Sequence, residues 1–166
     1  MANFDSYKNA FPHAKLIRSS NGVLEVVLHT NGDTLIFNGY THEEFVDLFY
    51  QISQDAGNRA VILTGAGRAF IDNIDAEGFD FYSPRGSDKI YREGKKVLLN
   101  LIDIPVPVIA ALNGPTTVHS EYALLADIIM LSRTLPSALC RVPASTPCGR
   151  KSLGRSAGGR SYSLNR

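Results

Sequence analysis

The chain has 166 residues, of which 44% are hydrophobic and 20% are charged, and its formal net charge is +1. This composition is typical of one soluble globular domain with its own core. The sequence has neither a basic, apolar leader nor a run of about 18 apolar residues, so we expect no signal peptide, no membrane span and a cytoplasmic location.

The charges are distributed unevenly along the chain. Residues 133–166 contain seven basic residues and no Asp, Glu or His, whereas residues 1–132 contain ten basic residues and all sixteen acidic ones. Both cysteines, Cys140 and Cys148, also lie after residue 132, and a cytosolic setting favours free thiols there. We therefore interpret residues 1–132 as one domain and residues 133–166 as a separate basic tail.

The first predicted elements are two strands, Ala14–Ser19 and Val23–Thr30. Asn21-Gly22 between them predicts a hairpin with a two-residue turn. The second strand alternates more and less apolar residues, which indicates a sheet with one better-buried face.

A helix is predicted to begin at Thr41, because Thr41 and Glu44 have the spacing of a capping box. Its apolar residues fall on one stripe at positions i, i+3, i+4 and i+7: Phe45, Leu48, Phe49 and Ile52. Gly57 is predicted to end it.

The rest of the domain alternates strands with helices. The predicted elements are a strand at Ala60–Thr64, a helix from about Ser87 to Ile102, a strand at Val108–Leu112, a short helix at His119–Ala126 and a strand at Ile128–Leu131. The run Ala60–Thr64 is apolar throughout, which favours burial on both faces. This order predicts an α/β fold in which parallel strands are joined by crossover helices.

Two loops follow the carboxyl ends of buried strands, where parallel sheets usually place their sites. They are residues 65–75 and 113–121, and each leads towards a helix start with free backbone N–H groups. Two such loops side by side predict a site that stabilises an enolate-like oxyanion.

Both loop sequences resemble a known family. Residues 60–75 place Thr64-Gly65 before Gly-x-x-Phe and a loop ending in Asp, and residues 107–129 run from Pro-Val-Ile-Ala-Ala through Asn113-Gly114 to an Asp-Ile pair. This pattern resembles the crotonase superfamily, or enoyl-CoA hydratase/isomerase family, over residues 14–132, about half of a typical family domain. The resemblance implies a crotonase-like (ClpP/crotonase) spiral of ββα units, here truncated and followed by a non-homologous basic tail.

The sequence differs from the thioester-binding members at two places. Thr117-Val118-His119-Ser120 stands where those members usually carry three glycines, and Asp72-Asn73 replaces their usual Ala-Gly pair. The segment from Asn113 to Glu121 is similar to the β-diketone hydrolase branch, exemplified by 6-oxocamphor hydrolase. Thr41-His42 near a helix start fits that branch loosely as well.

The resemblance assigns candidate roles to residues of both loops. Ile74 and either Val118 or His119 would donate backbone N–H groups to the oxyanion, and the His119 side chain would donate to a substrate carbonyl. Glu121 falls where hydratases carry a catalytic glutamate. Each has a structural alternative: a structural histidine for His119, a helix-start acid for Glu121 and a core aliphatic for Ile74.

Three further residues are candidates for the substrate pocket. Phe37 and Phe79 would form its apolar wall, although Phe79 fits an ordinary core position equally well. His42 is assigned to the pocket by the same resemblance, but its residue type and place favour a surface or capping role. His29, His42 and His119 lack metal-ligand spacing, so we predict neither a metal nor another cofactor.

Three functions remain open from the sequence. The chain is a hydrolase that cleaves a carbon–carbon bond in a β-diketone, a coenzyme A-dependent hydratase or isomerase with Glu121 as acid/base, or an inactive or merely binding fragment. In the family, the second half of the domain supplies packing for homotrimers and, in diketone hydrolases, a water-activating His–Asp pair. Residues 133–166 cannot contain that pair, so we expect impaired activity from this chain.

The tail itself has three interpretations. It is a disordered basic segment, foreign sequence from a shifted reading frame or a fusion, or a nucleic-acid or lipid-binding arm. The abrupt change after Ser132 favours foreign sequence. We expect a small-molecule diketone or acyl substrate, and neither nucleic acid nor membrane as a partner.

Overall fold

The computed structural model describes residues 2–132 of the chain. Its elements are α1 Phe4–Tyr7, β1 Ala14–Arg18, β2 Val23–Leu28, β3 Ile36–Phe37, α2 Gly39–Gln54, β4 Ala60–Gly65, β5 Asn73–Ile74, α3 Pro84–Ile102, β6 Val108–Leu112, α4 Glu121–Leu124 and β7 Ile128–Leu131. The predicted order of strands and helices is confirmed, with α1, β3 and β5 as short additions. The predictions for residues 133–166 lie outside the described residues.

Five strands form the main sheet in the order β1-β2-β4-β6-β7. The β1–β2 pair is antiparallel, and the other three pairs are parallel, as predicted. Val26, Leu63, Ala110 and Ile129 form one row across the parallel strands. Because β4 and β6 are parallel neighbours, their carboxyl ends lie side by side and the two predicted site loops leave the sheet together.

The hairpin between β1 and β2 has three connecting residues instead of the predicted two. The Ser19 N–H donates to the Val23 carbonyl (3.0 Å), which leaves Ser20, Asn21 and Gly22 in the loop. Gly22 has a φ of +86°. A left-handed glycine in the third position is the usual ending of a three-residue hairpin loop, and glycine adopts it without a Cβ clash.

Helix α2 begins earlier than predicted and has a different cap. Asn38 is the N-cap: its side-chain oxygen accepts from the N–H groups of Tyr40 and Thr41, while Thr41 Oγ1 accepts from the Asn38 N–H (2.8 Å). Thr41 is therefore the inner partner of the capping box, and the predicted Thr41–Glu44 box is wrong. Glu44 instead accepts from the His13 backbone N–H (2.9 Å).

The core lies on the face of the sheet that α2 and α3 help to cover. The predicted stripe of α2 is buried, and α3 adds Val97 and Leu101. Within β4, Val61 and Leu63 are buried whereas the alternate residues are half-buried, so the expected burial on both faces is wrong. Strand β7 is exposed along its length.

The two later helices differ from prediction at their ends. Helix α3 begins at Pro84, because the Ser83 side chain caps it by accepting from the Gly86 N–H (2.9 Å). Helix α4 is only four residues long, so the predicted span from His119 to Ala126 is wrong. Among the described residues, no helix combines the length and hydropathy needed to cross a membrane.

A buried polar network joins α1, β1 and the end of α2. Asp55 Oδ2 accepts from the Tyr7 hydroxyl (2.9 Å) and from the Arg18 guanidinium (2.8 Å). The Asn58 amide donates to Tyr7 Oη (3.3 Å). Burial raises the pKa of Tyr7 to about 12, so its hydroxyl remains a donor to the Asp55 carboxylate at neutral pH.

Candidate active site

The two loops that follow β4 and β6 are paired along their backbones. The Phe70 N–H donates to the Pro115 carbonyl (2.9 Å), and the Thr117 N–H donates to the Ile71 carbonyl (3.0 Å). Ile71 and Thr116 form an isolated parallel bridge between these contacts. The predicted meeting of the two loops is therefore produced by main-chain hydrogen bonds.

Small residues allow this close approach. A Cβ at Gly114 would lie 1.9 Å from the Arg68 carbonyl oxygen, and a Cβ at Gly65 would lie 2.4 Å from that of Ala69. Asn113 adds two hydrogen bonds across the gap, from its amide to the carbonyls of Gly67 (3.1 Å) and Ala69 (3.2 Å). The Gly65 and Asn113-Gly114 signals in the sequence thus have a direct packing cause.

His119 lies at the end of the second loop in a backbone conformation that is unusual for its type. Its φ is +48°, in the left-handed region. Its ring centroid is 3.9 Å from that of Phe37 and 5.3 Å from that of Tyr122. Nδ1 is 2.6 Å from Glu121 Oε1, so the carboxylate accepts from an Nδ1–H and orients the ring.

The backbone donors near His119 differ in whether they already have an acceptor. The Val118 N–H donates to the Ile71 carbonyl (3.3 Å), whereas the His119 N–H makes no hydrogen bond to another described residue. The Asp75 N–H donates to the Phe37 carbonyl (2.7 Å) in the β3–β5 pair. Since successive N–H groups of a strand point to opposite sides, the Ile74 N–H points away from β3.

The Ile74 side chain does not lie in the core. It is 52% exposed, so the structural alternative of a core aliphatic is wrong. Its strand partner is Phe37, whose ring contacts His119. These contacts bring the Ile74 backbone and His119 to the same region of the molecule, and their shared role at an oxyanion stays a prediction.

His42 is a buried residue, and its expected surface or capping role is wrong. Only 5% of it is exposed, and Asn38 caps the helix in its place. His42 Nδ1 is 3.2 Å from Glu93 Oε2 on α3. Burial lowers the pKa of His42, while the hydrogen bond and charge of Glu93 act in the opposite direction.

One aromatic cluster unites the candidate pocket residues. The Phe37 ring is fully buried and lies 5.9 Å from His42 and 6.5 Å from Phe79, measured between ring centroids. His42 and Phe79 are 5.6 Å apart. The structure thus brings Phe37, His42, Phe79 and His119 together; their roles towards a substrate stay a prediction.

Two residues of this region were missed by the sequence analysis. Tyr122 stacks on the His119 ring, and Glu93 binds His42. Tyr122 lies three positions after His119 in a short predicted helix, which is a signal for contact. Glu93 is 51 positions from His42, and nothing in a single sequence links the two.

A cavity of about 510 Å³ adjoins the cluster, between the start of α3 and residues 78–80. Phe79 and Glu93, which both contact His42, form part of the cavity wall together with charged side chains of α3. The cavity therefore reaches the edge of the candidate site. In the stretch from residue 2 to residue 132, no group of three or more His, Cys, Asp or Glu side chains is arranged to hold a metal ion.

The family model for enoyl-CoA hydratase/isomerase matches residues 18–139. The chain belongs to this family. The described residues have the mixed α/β architecture shared by its solved members, so the crotonase-like fold predicted from the two loops is confirmed.

The chain is similar to two solved structures with this fold. A β-diketone hydrolase from the cyanobacterium Anabaena, bound to (S)-3-oxocyclohexyl acetic acid, is 52% identical with a TM-score of 0.76; the match covers 78% of this chain and 52% of that one. An enoyl-CoA hydratase/carnitine racemase from Magnetospirillum magneticum is 26% identical with a TM-score of 0.61, covering 81% and 53%.

Curated relatives in the same family act on coenzyme A esters. The 1,2-epoxyphenylacetyl-CoA isomerase of Escherichia coli is 28% identical over 68% of this chain and 45% of its own length. The mitochondrial Δ(3,5)-Δ(2,4)-dienoyl-CoA isomerase of Homo sapiens is 30% identical over 64% and 36%. The chain thus spans less than half the length of these curated relatives.

Proposed function

We propose that this site serves the hydrolytic cleavage of a carbon–carbon bond in a β-diketone through an enolate intermediate. The observation that supports the proposal is the set of contacts that His119 makes: its ring lies against Phe37, which is the strand partner of Ile74, and Glu121 orients it. The 52% identity to a β-diketone hydrolase supports the same substrate class.

In the proposed reaction, water adds to one carbonyl carbon of the substrate. The bond from that carbon to the central carbon then breaks, and its electron pair moves to the second carbonyl, which becomes an enolate. A proton returns to the central carbon. The protein must therefore stabilise a developing negative charge on the second carbonyl oxygen.

The backbone groups best suited to that oxygen are the N–H groups of Ile74 and His119. The Val118 N–H already has an acceptor in the Ile71 carbonyl, which favours His119 over Val118 as the second donor. Preorganised donors of this kind typically contribute about 2.7–4 kcal/mol each to the transition state.

The His119 side chain adds a third donor in one protonation state. Since Glu121 accepts from Nδ1–H, Nε2 carries a proton only when the ring is an imidazolium. We propose that this cation donates from Nε2 to the carbonyl that becomes the enolate. Glu121 then acts by orienting and stabilising His119.

Chemistry on a coenzyme A thioester is the second candidate, because the curated relatives act on such esters. In that reaction Glu121 would act as acid/base directly. Assays of a bicyclic 1,3-diketone and an enoyl thioester, with wild type, His119→Ala and Glu121→Gln, separate the two. We expect diketone turnover that falls at least about 100-fold in His119→Ala. Turnover of the thioester alone would contradict the proposal.

A further inference from the structure

The chain contains several Asn-Gly pairs, and the fold holds each of them differently. They are Asn21-Gly22, Asn31-Gly32, Asn38-Gly39 and Asn113-Gly114. In such a pair the glycine nitrogen can attack the asparagine side-chain carbonyl carbon and displace the amide, because glycine has no Cβ to obstruct the approach. The reaction requires a carboxamide that is free to turn and a glycine N–H that can lose its proton.

Two of the pairs are fixed at packed positions. Asn38 Oδ1 caps α2, and the Gly39 N–H donates to the Glu77 carbonyl (2.8 Å). The Asn113 amide donates to two carbonyls, and Gly114 is buried. Neither carboxamide can turn without losing these hydrogen bonds, so both pairs are protected.

The Asn21-Gly22 pair lies nearer the surface, but its groups are also bonded. Asn21 Oδ1 accepts from Ser19 Oγ and from the Val23 N–H (3.3 Å). The Gly22 N–H donates to the Ser19 carbonyl (3.0 Å). A carbonyl oxygen is a hydrogen-bond acceptor but a very weak base, so it does not remove the proton of this N–H.

The Asn31-Gly32 pair differs from the other three. It forms an exposed turn between Thr30 and Asp33, and its φ values of +53° and +84° are both positive, as in a type I′ turn. Within residues 2–132, the Asn31 carboxamide has no hydrogen-bond partner. The Gly32 N–H donates to His29 Nδ1 (3.2 Å), so this glycine N–H faces a base.

The hydrogen bond from Gly32 determines what His29 can do. A neutral imidazole that accepts at Nδ1 carries its own proton on Nε2, so the Nδ1 lone pair points at the proton that the glycine nitrogen must lose. Two hydrogen bonds of 3.1 Å between Thr30 and Asp33 close the turn, and neither uses the Gly32 N–H. The exposed turn can therefore open and bring the Asn31 carboxamide to the nitrogen while His29 keeps its contact.

The same turn supports the first loop of the candidate site. The Arg68 N–H donates to Thr34 Oγ1 (3.1 Å). A Cβ at Gly67 would overlap Asp33 Oδ1 and Thr34 Oγ1, so the turn and the 65–75 loop are in close contact. A change in the backbone length of the turn should therefore reach this loop.

We propose that Asn31 is a deamidation site at which His29 acts as the base, and that the isoaspartyl product disturbs the contact of the turn with the 65–75 loop. In the step, His29 Nδ1 takes the proton of the Gly32 nitrogen, and that nitrogen forms a bond to Asn31 Cγ. The carbon–nitrogen bond of the side-chain amide breaks, and the amide leaves as ammonia with the proton from His29. Water then opens the succinimide to aspartate or to isoaspartate, which adds a methylene to the backbone.

The first test incubates the full 166-residue chain in H₂¹⁸O and follows all the Asn-Gly pairs by peptide mass spectrometry. Asn31 should lose its amide fastest and gain a labelled oxygen. His29→Ala should slow this loss about 10-fold, less than the about 10²–10⁴-fold effect of a positioned base, because water also takes the proton. His29→Gln keeps an acceptor for the Gly32 N–H without being a base, so it should be as slow as His29→Ala.

Asn21 in the same samples is the matched control, and neither substitution should change its rate. A wild-type chain in which Asn21 reacts as fast as Asn31 would overturn the assignment of the site. A His29→Gln variant that keeps the wild-type rate at Asn31 would overturn the role of His29 as base.

The second test compares the backbone amide signals of Gly67 and Arg68 in the isoaspartyl form, separated by chromatography, and in Asn31→Asp. The isoaspartyl form should shift both signals, because its longer backbone displaces Asp33 and Thr34. Asn31→Asp has the same charge and an ordinary backbone, so both signals should stay close to those of wild type. Unchanged signals in the isoaspartyl form, or equal shifts in Asn31→Asp, would overturn the proposed effect on the loop.

Discussion

The left-handed backbone of His119 allows its conformational cost to be separated from its side-chain role. At a φ of +48°, a residue with a Cβ destabilises the folded state by about 1–2 kcal/mol relative to glycine. Glycine also increases the conformational entropy of the unfolded chain, and this offsets about 0.4–1 kcal/mol of its advantage in the folded state. His119→Gly should therefore be more stable than His119→Ala by about 0.5–1 kcal/mol, although both lose the ring contacts with Phe37 and Tyr122.

The measurement is urea denaturation followed by circular dichroism, because the chain has no tryptophan. The same pair of substitutions at Lys95, an exposed position inside α3, is the matched control. There the order should reverse, with Gly less stable than Ala by about 1 kcal/mol. An Ala variant at position 119 that equals or exceeds the Gly variant in stability would refute the backbone assignment.

Three further predictions concern the scaffold and the buried histidine. Asp55→Ala should cost about 2–4 kcal/mol of unfolding free energy in urea titrations, because it leaves the partly buried Arg18 guanidinium and the buried Tyr7 hydroxyl without their acceptor. Asp5→Ala, in an exposed ion pair, should leave the free energy of unfolding nearly unchanged, and equal losses in the two variants would argue against this explanation. Gly114→Ala should disrupt the pairing of the two loops, because the added Cβ would meet the Arg68 carbonyl oxygen. Amide hydrogen exchange should become faster at Thr117 while the main sheet stays protected, and unchanged exchange at Thr117 would argue against this role of Gly114. The pKa of His42 in the folded chain lies below its unfolded value of about 6.5, so the unfolded chain binds the proton first as the pH falls. The free energy of unfolding is therefore retained above that pH and decreases below it. His42→Asn should reduce this decrease between about pH 7.5 and 5.5, and an equally steep decrease in the variant would exclude His42 as the cause.

The sequence predicted most of the sheet because its strands are short apolar runs bounded by turn residues. The runs Ala60–Thr64 and Val108–Leu112 are typical of buried strands, and the glycines that follow them indicated close contact between the loops. Helix starts were less predictable, since several polar residues compete to cap one helix. Asn38 and Thr41 are both good caps, and only the extended backbone of Asn38 decides between them.

The candidate site was predictable where its residues are local. His119, Glu121 and the 65–75 loop follow from strand ends and motif spacing. The burial of His42 was not predictable, because it depends on α3 packing against α2 through Gly94 and Glu93, more than 50 residues away. Long-range polar pairs of this kind leave no periodic signal in a single sequence.

The proposed reaction requires the Ile74 and His119 N–H groups to face one oxyanion position. The most direct test is to titrate the ¹⁵N-labelled chain with (S)-3-oxocyclohexyl acetic acid, the compound bound to the Anabaena hydrolase, and follow the backbone amides by NMR. We expect the amide signals of Ile74 and His119 to shift together along one binding curve. Val118, whose N–H already has an acceptor, should shift much less. A shift at Val118 without one at Ile74, or a shift of only one of the Ile74 and His119 amides, would show that these two N–H groups do not share an oxyanion.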